Sequence, residues 1–408
     1  MTQTGPPATN PASQRRIVII LLLVIPLSQI PMDIYTPALP QMVLDLHSTS
    51  TAMQNTVTAY MLGMSLAFIP IGVLADTWGR KRVLLSCLGI VVATSLLCAI
   101  ATNVGVLLGV RFVQGAAACA CMVLSYAVAA DCFTGKRLTS VSGILGAAWG
   151  SAPLLAPAVG GLMVQFVSWR LVFVTIAVLA AAAAVVVAVG LPETLAVADR
   201  SPIDPGATWR FAAGALRNRV FLAFVVVFGL LASAQLAFGV IGPFLYQDAL
   251  DFSPGAYGLI ALVVGAANLS GELACGALAV RLSTRVLSMS ALALFMIGAV
   301  VLVGSAAVFG VNAWAIGIGA AVALAGCGVL CPQMYGLALG LFSRNLGLVG
   351  GVISAGCYLI VSAAMAVVGV LPDRSQAPLG WMYVGCGLVA FVLLGWATSH
   401  RRPAAHTV

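Results

Sequence analysis

The chain has 408 residues, of which 62% are hydrophobic and 7% are charged, and its mean hydropathy is +1.10. Soluble domains carry about a quarter charged residues, so this composition excludes a large water-soluble domain and predicts a polytopic membrane protein. The net charge of +8 could indicate a nucleic-acid partner, but the positions of the charges argue against one, because the basic residues lie mostly in loops between apolar segments.

Twelve apolar segments follow one another along the chain. Each is long enough to cross about 30 Å of hydrocarbon at about 1.5 Å per residue of helix. The predicted spans are residues 17–41, 52–74, 83–102, 105–130, 138–165, 170–191, 219–246, 255–279, 285–306, 311–338, 347–371 and 380–399.

A polar stretch and a faint repeat divide the chain into two halves. The sequence G-V-L-A from Gly72 follows the second span and G-A-L-A from Gly276 follows the eighth, while F-T-G-K from Phe133 is echoed by F-S-R-N from Phe342. Two parallel six-helix halves are a transporter architecture. We therefore predict an all-α fold of two pseudo-symmetric six-helix bundles. The expected parts are a disordered cytoplasmic N-terminus at 1–16, an N-terminal bundle at 17–191, a cytoplasmic linker at 192–218, a C-terminal bundle at 219–399 and a cytoplasmic tail at 400–408.

The basic residues mark one side of the membrane. Sixteen of the 19 lysines and arginines fall in the loops of one side, whereas Arg170 and Arg374 fall on the other and Arg111 lies inside a span. Positive loops remain in the cytoplasm, so both termini are expected there. We expect a multi-pass monomer in the cytoplasmic membrane, in contact with the lipid bilayer.

The cysteines and histidines form no recognisable metal or disulfide pattern. The ten cysteines lie almost entirely within spans, where Cys behaves as a small apolar residue, and no C-x-x-C pair occurs. The three histidines are scattered along the chain. We therefore predict no metal site and no cofactor.

The first span contains Asp33, within the sequence I-P-M-D-I-Y-T-P-A-L-P of Ile30–Pro40. A carboxylate inside a bilayer costs several kcal/mol when it is ionised and unpaired, so Asp33 is a candidate for a substrate pathway or a proton relay. The alternative is a carboxylate at the lipid interface that caps a helix end distorted by proline.

The loop Gly72–Leu84, with the sequence G-V-L-A-D-T-W-G-R-K-R-V-L, follows the second span. Asp76 can cap a neighbouring helix or pair with an arginine, and Gly79 permits a tight turn. We interpret this loop as a latch that breaks when the two halves move. The alternative is a simple topology anchor, for which the basic residues suffice. The predicted gating residues are Gly72, Asp76, Gly79, Arg80 and Lys81.

The fourth span contains Arg111 near the same membrane surface as Asp33. Counting residues from the span ends places Arg111 roughly 9 Å and Asp33 roughly 12 Å below that surface. A nearby arginine favours the ionised form of a carboxylate, and exclusion of water favours the neutral form. A carboxylate that is subject to both effects can therefore bind a proton in one conformation and release it in another. We therefore predict that Asp33 and Arg111 couple transport to protons; the alternative is that Arg111 extends to the outer headgroups.

In the second half Glu272 lies well inside a span, with Asn268 nearby. It is either a second proton site or a partner of Arg281. Aromatic and amide side chains within apolar walls suit amphipathic ligands. The candidate cavity residues are Tyr35, Asn55, Tyr60, Gln114, Tyr126, Gln235, Tyr246, Tyr335 and Tyr358.

These motifs resemble those of the major facilitator superfamily. The loop Gly72–Leu84 resembles the loop between the second and third helices of that family, although Thr77 replaces a usual basic residue. The segment Leu107–Ala117 is similar to the fourth-helix motif, with Arg111, Gln114 and Gly115 in register. The resemblance covers nearly the whole chain.

Two segments resemble a narrower group within that superfamily. Asp33, Tyr35, Pro37, Ala38 and Pro40 match the first-helix segment of the Bcr/CflA drug-resistance group, which includes phenicol and multidrug exporters. The fifth span resembles the antiporter motif that ends in G-P-x-x-G-G. There Pro157, Gly160 and Gly161 match, whereas Ala156 replaces a glycine.

The resemblance implies a proton-coupled exporter of drugs or other small amphipathic molecules, working by alternating access and conferring antibiotic resistance. The alternatives are an exporter of an endogenous metabolite, such as an amino acid or a siderophore, and a facilitator that does not use protons. A membrane-embedded enzyme is disfavoured, because no H-E-x-x-H or G-x-S-x-G motif occurs.

Overall fold

The computed structural model describes residues 11–196, 200, 205–342, 346–370 and 375–400. In these residues twelve helices are long and apolar enough to cross a membrane, which confirms the predicted spans and the all-α fold class. The spans are α1 (Ala12–Asp45), α2 (Ser50–Trp78), α3 (Arg80–Ala99), α4 (Val104–Cys132), α5 (Gly135–Phe166), α6 (Trp169–Gly190), α7 (Arg219–Asp248), α8 (Pro254–Leu278), α9 (Thr284–Phe309), α10 (Ala313–Leu339), α11 (Leu346–Val368) and α12 (Ala377–His400). A separate linker helix, Pro205–Arg217, lies between α6 and α7.

The start of α1 corrects the predicted boundary of the disordered N-terminus, 1–16. Residues 1–10 lie outside the described residues, but residues 11–16 already form the first turns of the helix Pro11–Val24. Proline is well suited to the first helical turn, and Gln14, Arg15 and Arg16 are good helix formers. The polar composition of these residues therefore does not prevent them from extending the apolar helix that follows.

The first span is a broken helix. A regular α-helix ends at Val24, short helical turns follow, one of them the α-helical turn Ile30–Asp33, and a longer α-helix resumes over Leu39–Asp45. Prolines occur at positions 26, 31, 37 and 40. Proline lacks the amide hydrogen of the helical hydrogen bond and its ring clashes with the preceding turn, so this spacing interrupts the helix. The break leaves backbone carbonyl oxygens without helical partners inside the span.

Each half of the molecule repeats the same helix packing. In the first half α2 packs on α4 and α3 packs on α6, and in the second half α8 packs on α10 and α9 packs on α12. The halves meet where α2 packs on α11 and where α5 packs on α8, and we call these contacts the α2–α11 seam and the α5–α8 seam. Replacing each helix of one seam by its equivalent in the other half, α2 by α8 and α11 by α5, gives the other seam, as expected for a parallel repeat of six helices.

The α5–α8 seam is closed at one end and open at the other. We call the membrane surface where α1 begins and α12 ends the terminal face, and the other surface the opposite face. Toward the opposite face, a Cβ added at Gly161 would overlap the carbonyl group of Pro254. Toward the terminal face, a Cβ added at Gly143 or Gly276 would meet nothing within 4 Å. The two helices therefore diverge toward the terminal face.

The α2–α11 seam opens in the same direction. The hydroxyl of Ser362 donates to the carbonyl of Thr58 at 3.3 Å, and the hydroxyl of Ser65 donates to the carbonyl of Ala355 at 2.8 Å. Nearer the terminal face, a Cβ at Gly351 would meet nothing within 4 Å. The structure is therefore closed at the opposite face and open at the terminal face.

Within the first half, glycine brings α2 and α4 into backbone contact. A Cβ at Gly115 of α4 would overlap the carbonyl oxygen of Tyr60, and a Cβ at Gly63 of α2 would overlap that of Phe112. Helices in a membrane associate through such close packing of small residues, because no hydrophobic force drives them together in lipid.

This contact predicts that Gly115→Val destabilises the protein by about 1–3 kcal/mol, because the added side chain overpacks a tight backbone contact. The measurement is the apparent melting temperature of the purified protein in detergent. Gly109→Val is the matched control: it lies on the same helix, is exposed, and a Cβ there would meet nothing within 4 Å. Equal melting temperatures for the two variants would contradict the prediction.

Candidate transport site

A buried arginine forms the centre of the polar cluster in the first half. Arg111 of α4 is fully buried. Its Nη1 donates to the carbonyl of Pro31 at 2.8 Å and to Oε1 of Gln114 at 2.6 Å. Gln114 in turn donates to the hydroxyl of Ser95 on α3 at 2.8 Å. The guanidinium is thus directed into the bundle and toward the break in α1.

Two tyrosine rings enclose the same guanidinium. The Cζ atom of Arg111 lies 4.4 Å from the ring centroid of Tyr35 and 4.4 Å from that of Tyr60. The Tyr35 hydroxyl shares a hydrogen bond of 2.8 Å with Thr56, and the Tyr60 hydroxyl donates to the carbonyl of Ser28 at 2.8 Å. A desolvated cation–π contact contributes about 2 kcal/mol or more. The two rings therefore replace part of the hydration that the cation lacks.

The carbonyl oxygens freed by the break in α1 accept hydrogen bonds from three different helices. Tyr60 of α2 reaches the carbonyl of Ser28, and Arg111 of α4 reaches that of Pro31. Nε2 of Gln247 in α7 donates to the carbonyl of Pro37 at 2.9 Å. Irregular backbone inside a membrane is tolerated where neighbouring side chains satisfy it. The third bond crosses between the halves.

Asp33 is buried beside this cluster and forms no ion pair within the described residues. The residue is 6% exposed, and its Oδ2 accepts no hydrogen bond from the residues that the structure describes. Although Arg111 donates to the carbonyl two residues before Asp33, their charged atoms are not within the 4.0 Å of an ion pair. Nε and Nη2 of Arg111 also lack partners within the described residues. The structure thus brings the two predicted coupling residues into one region without pairing them.

Side chains of the second half approach the same region. The Tyr358 hydroxyl of α11 lies 3.4 Å from Oε1 of Gln29, to which it donates, and its ring stacks on Phe68 at 5.3 Å. Asp33 is also close enough to Tyr257 of α8 and to Tyr358 for electrostatic interaction. The carboxylate therefore lies where α1 meets both halves.

The remaining cavity candidates are dispersed. Asn55 faces Gly369 near the opposite face, and Tyr246 donates to the carbonyl of Ala313 within the second half. Tyr335 packs edge-on against Phe228, at 5.9 Å between ring centroids. The other two are Tyr126, which lies beside Gly146, and Gln235, which is half-buried on α7. Of the nine candidates, Tyr35, Tyr60, Gln114 and Tyr358 are the ones that adjoin the region of Asp33.

The predicted gating loop is organised around Arg80 at the terminal face. Arg80 pairs with Asp76 at 2.5 Å and with Asp131 of α4 at 3.3 Å. Gly79 has φ +101°, which only glycine adopts without strain, and it permits the turn between α2 and α3. A Cβ at Gly79 would also overlap the carboxylate of Glu193. The loop is thus bound to its own half.

Three residues of this cluster were not predicted from the sequence as site residues. Glu193 accepts from the backbone nitrogen of Arg80 at 2.8 Å, and Thr194 donates to Asp131 at 2.9 Å. Glu193 thereby occupies the N-terminus of α3, where a negative charge is favoured. The scarcity of acidic residues was a usable signal, because Asp131 and Glu193 each stand directly at the terminal-face end of a span.

Lys81 and Gly72 contribute differently to the gating loop. Lys81 donates to the carbonyl of Ala188 at 2.7 Å and so ties α3 to the end of α6. Gly72 has open space around it, since a Cβ there would meet nothing within 4 Å. In this structure, in which the terminal face is open, no other described residue packs against Gly72.

The fifth-helix motif makes contacts in two directions. A Cβ at Gly160 would overlap the carbonyl of Ile34, next to Asp33, whereas Gly161 faces Pro254 of α8. The carbonyl of Pro157 lies 3.0 Å from the Cβ position of Gly258 on α8. The motif therefore seals α5 against both the break in α1 and the second half.

Glu272 lies at the α5–α8 seam. Its Oε1 accepts from Nδ2 of Asn268 at 2.9 Å, and its Oε2 lies 3.4 Å from the Cβ position of Gly150 on α5. No ion pair joins it to Arg281, which is exposed. Of the two alternatives stated for Glu272, the ion pair is therefore absent from this structure.

The sequence profile of the Major Facilitator Superfamily matches residues 21–364. The chain belongs to the Major Facilitator Superfamily. It is 30% identical over 271 residues to the uncharacterized MFS-type transporter YdgK of Bacillus subtilis (strain 168). This alignment covers 65% of this chain and 67% of that protein. It is 25% identical over 378 residues to multidrug resistance protein MdtL of Escherichia coli O81 (strain ED1a), which covers 92% and 93% of the two chains.

Two solved structures show the same fold. The D-xylose-proton symporter matches with a TM-score of 0.76 and 13% identity, over 93% of this chain and 97% of that chain. A bacterial homologue of the human lysosomal transporter Spinster, in an inward-facing and unoccupied conformation, matches with a TM-score of 0.70 and 15% identity, over 98% and 100%. As a member of this superfamily, the chain is a transporter and not an enzyme, and it is a multi-pass membrane protein.

The enclosure of Arg111 predicts that Arg111→Lys lowers the apparent melting temperature. An ammonium group can keep one hydrogen bond but cannot lie flat between two rings. Loss of a hydrogen bond to a charged group costs about 1.5–3 kcal/mol. Arg170→Lys is the control, because Arg170 also lies over an aromatic ring, Trp169, at 4.2 Å, but its side chain is 37% exposed. A larger loss of stability in the control would contradict this account.

Proposed function

We propose that this transporter is a proton-coupled exporter of small amphipathic molecules, similar to the Bcr/CflA drug exporters, and that Asp33 carries the exchanged proton. The observation that carries the proposal is the buried carboxylate of Asp33, whose Oδ2 has no partner within the described residues although a fully buried arginine lies nearby. An ionised carboxylate in this position is costly unless it is paired. Proton binding removes that cost.

The position of Asp33 supports coupling between the proton and the movement of the halves. Asp33 lies in the broken part of α1, which Gln247 of the second half contacts through the carbonyl of Pro37. It is also close to Tyr358 of the α2–α11 seam. Gln247 and Tyr358 move away from α1 when the opposite face opens, so a change in the charge of Asp33 alters the free energy of that opening. Protonation of Asp33 and the conformation of the transporter are therefore linked.

We propose that Arg111 sets the affinity of Asp33 for the proton. When the halves rearrange, a shift of Asp33 toward the guanidinium favours the ionised form, and a shift away favours the neutral form. The free Nε and Nη2 of Arg111 can donate to a carboxylate or to water without breaking the bonds to Pro31 and Gln114. One proton is thus taken up in one conformation and released in the other.

Aromatic walls support amphipathic substrates. Phe68 and Tyr358 stack beside the inter-half region, and Tyr60 lies next to them. Aromatic faces accept flat apolar groups, and the phenol hydroxyls provide hydrogen bonds. The full-length similarity to a protein named as a multidrug resistance protein supports drugs as the substrates.

The distribution of basic residues supports the orientation of the transporter. In the sequence, sixteen of the 19 lysines and arginines fall in the loops and helix ends on the side of the terminal face, so we place that face and both termini in the cytoplasm. The open terminal face is then the side from which the substrate enters. We propose the cytoplasmic membrane of a bacterium as the site of action and a monomer as the working unit.

The test is transport by the purified full-length protein in proteoliposomes with an imposed proton gradient. We expect the wild type to exchange a phenicol or a lipophilic dye for protons, and Asp33→Asn to lose gradient-driven export by at least about tenfold while it still binds the substrate. Asp251→Asn is the matched control, because Asp251 is exposed near the opposite face and its φ of 57° suits asparagine.

Three outcomes would contradict the proposal in different ways. Unchanged gradient-driven export in Asp33→Asn would remove Asp33 from the proton pathway. Export without proton movement would favour a facilitator. Transport of amino acids or siderophores, but of no drug, would favour a metabolite exporter.

A further inference from the structure

The two seams differ at one pair of equivalent positions. In the repeat, Phe68 stands four residues before Gly72 and Glu272 stands four residues before Gly276. Across their seams, Phe68 stacks on Tyr358, whereas Glu272 faces Gly150. The α2–α11 seam therefore has an aromatic contact at the depth where the α5–α8 seam has a carboxylate opposite a glycine.

Glu272 lies where the α5–α8 seam begins to open. Nearer the opposite face, Gly265 packs on α5, with its Cβ position 3.2 Å from Cα of Leu154. Nearer the terminal face, Gly143 and Gly276 have no neighbour within 4 Å of a Cβ. Closing the terminal face must bring α5 and α8 together over this stretch. Glu272 is then enclosed against the glycine-rich surface of α5.

The helix stretches that surround Glu272 contain no cation to compensate its carboxylate. The sequence contains no lysine, arginine or histidine in 138–166, Pro254–Leu278 or Ala313–Leu339, which are the stretches of α5, α8 and α10 around it. The titratable groups that interact with Glu272 are thiols, Cys275 on its own helix and Cys327 on α10. Enclosing an ionised carboxylate without a cation is strongly unfavourable, whereas a neutral carboxyl group needs only a hydrogen bond.

Asn268 can provide that hydrogen bond in both protonation states. At present its Nδ2 donates to Glu272, and its own Oδ1 is buried without a partner among the described residues. An amide carries both a donor and an acceptor, so a rotated Asn268 accepts from the O–H of a protonated carboxyl group. The i, i+4 spacing on one helix holds the two side chains together whichever state the seam adopts.

We propose that Glu272 is a proton-binding gate of the α5–α8 seam: the terminal face closes over Glu272 in its neutral form and stays open while it is ionised. The proposal rests on alternating access in this superfamily and is independent of the substrate. It is also distinct from the role of Asp33, because Glu272 belongs to the other half and lies nearer the other face. The gate binds a proton and needs no metal or cofactor.

The test measures the distance across the terminal face at several pH values. Spin labels on unnatural amino acids at the exposed positions 136 and 281 report the separation of α5 and α8 in the full-length protein, and pulsed resonance gives the short and long populations. In the Asp33→Asn background, which removes titration of Asp33, acidification should increase the short population. One controlling proton changes the population ratio by up to about tenfold per pH unit.

Glu272→Gln should show the short population at every pH, with the pH dependence lost. Glu272→Asp keeps a titratable carboxyl group and should retain the pH dependence, and Asp251→Asn, at the opposite face, should behave as its parent. The proposal is wrong if Glu272→Gln keeps the pH dependence of its parent, or if the parent shows none. A failure of drug export would affect the proposed function alone, because these distances are measured without substrate.

Discussion

The burial of one cation inside the first half organises the candidate transport site. The guanidinium of Arg111 is fully buried in a segment that crosses the membrane, so it must obtain its partners from the protein. It obtains a carbonyl oxygen from the break in α1, an amide oxygen from its own helix and two aromatic faces. The broken helix and the buried cation therefore stabilise each other: the break supplies an acceptor, and the cation satisfies a carbonyl that would otherwise be unpaired in hydrocarbon.

The sequence predicts most of the fold because a bilayer imposes a simple rule. Each span must be about 20 apolar residues long and internally hydrogen-bonded, so hydropathy predicts the twelve spanning helices found in the described residues. The repeat of Gly72 and Gly276 predicts two equivalent halves. The direction in which the seams open could not be predicted. The direction depends on which end of each seam is in contact. The sequence does not distinguish a glycine that packs on the partner helix, such as Gly161, from one that has no neighbour, such as Gly143.

The candidate site was predicted in part. Proline spacing indicates the break in α1, and an arginine in a span indicates a buried polar cluster, but sequence alone does not show that the partners of Arg111 are the rings of Tyr35 and Tyr60. Cation–π contacts join residues that are distant in the chain and have no characteristic spacing. The roles of Asp131 and Glu193 could not be predicted for the same reason, because each contacts Arg80 from the end of a different helix.

The two carboxylates of the proposed mechanism are placed for opposite steps of one cycle. Asp33 lies on α1 toward the opposite face, which is closed here, and Glu272 lies on α8 at the mouth of the seam toward the terminal face, which is open. A titrating group acts most strongly on the contacts that surround it, so Asp33 and Glu272 each bias the equilibrium through a different barrier. With one carboxylate near each barrier and in different halves, proton occupancy can influence the opening of one face and the closing of the other separately. The pseudo-symmetric fold supplies two equivalent seams, and at this pair of equivalent positions the α2–α11 seam has an aromatic contact whereas the α5–α8 seam has a carboxylate.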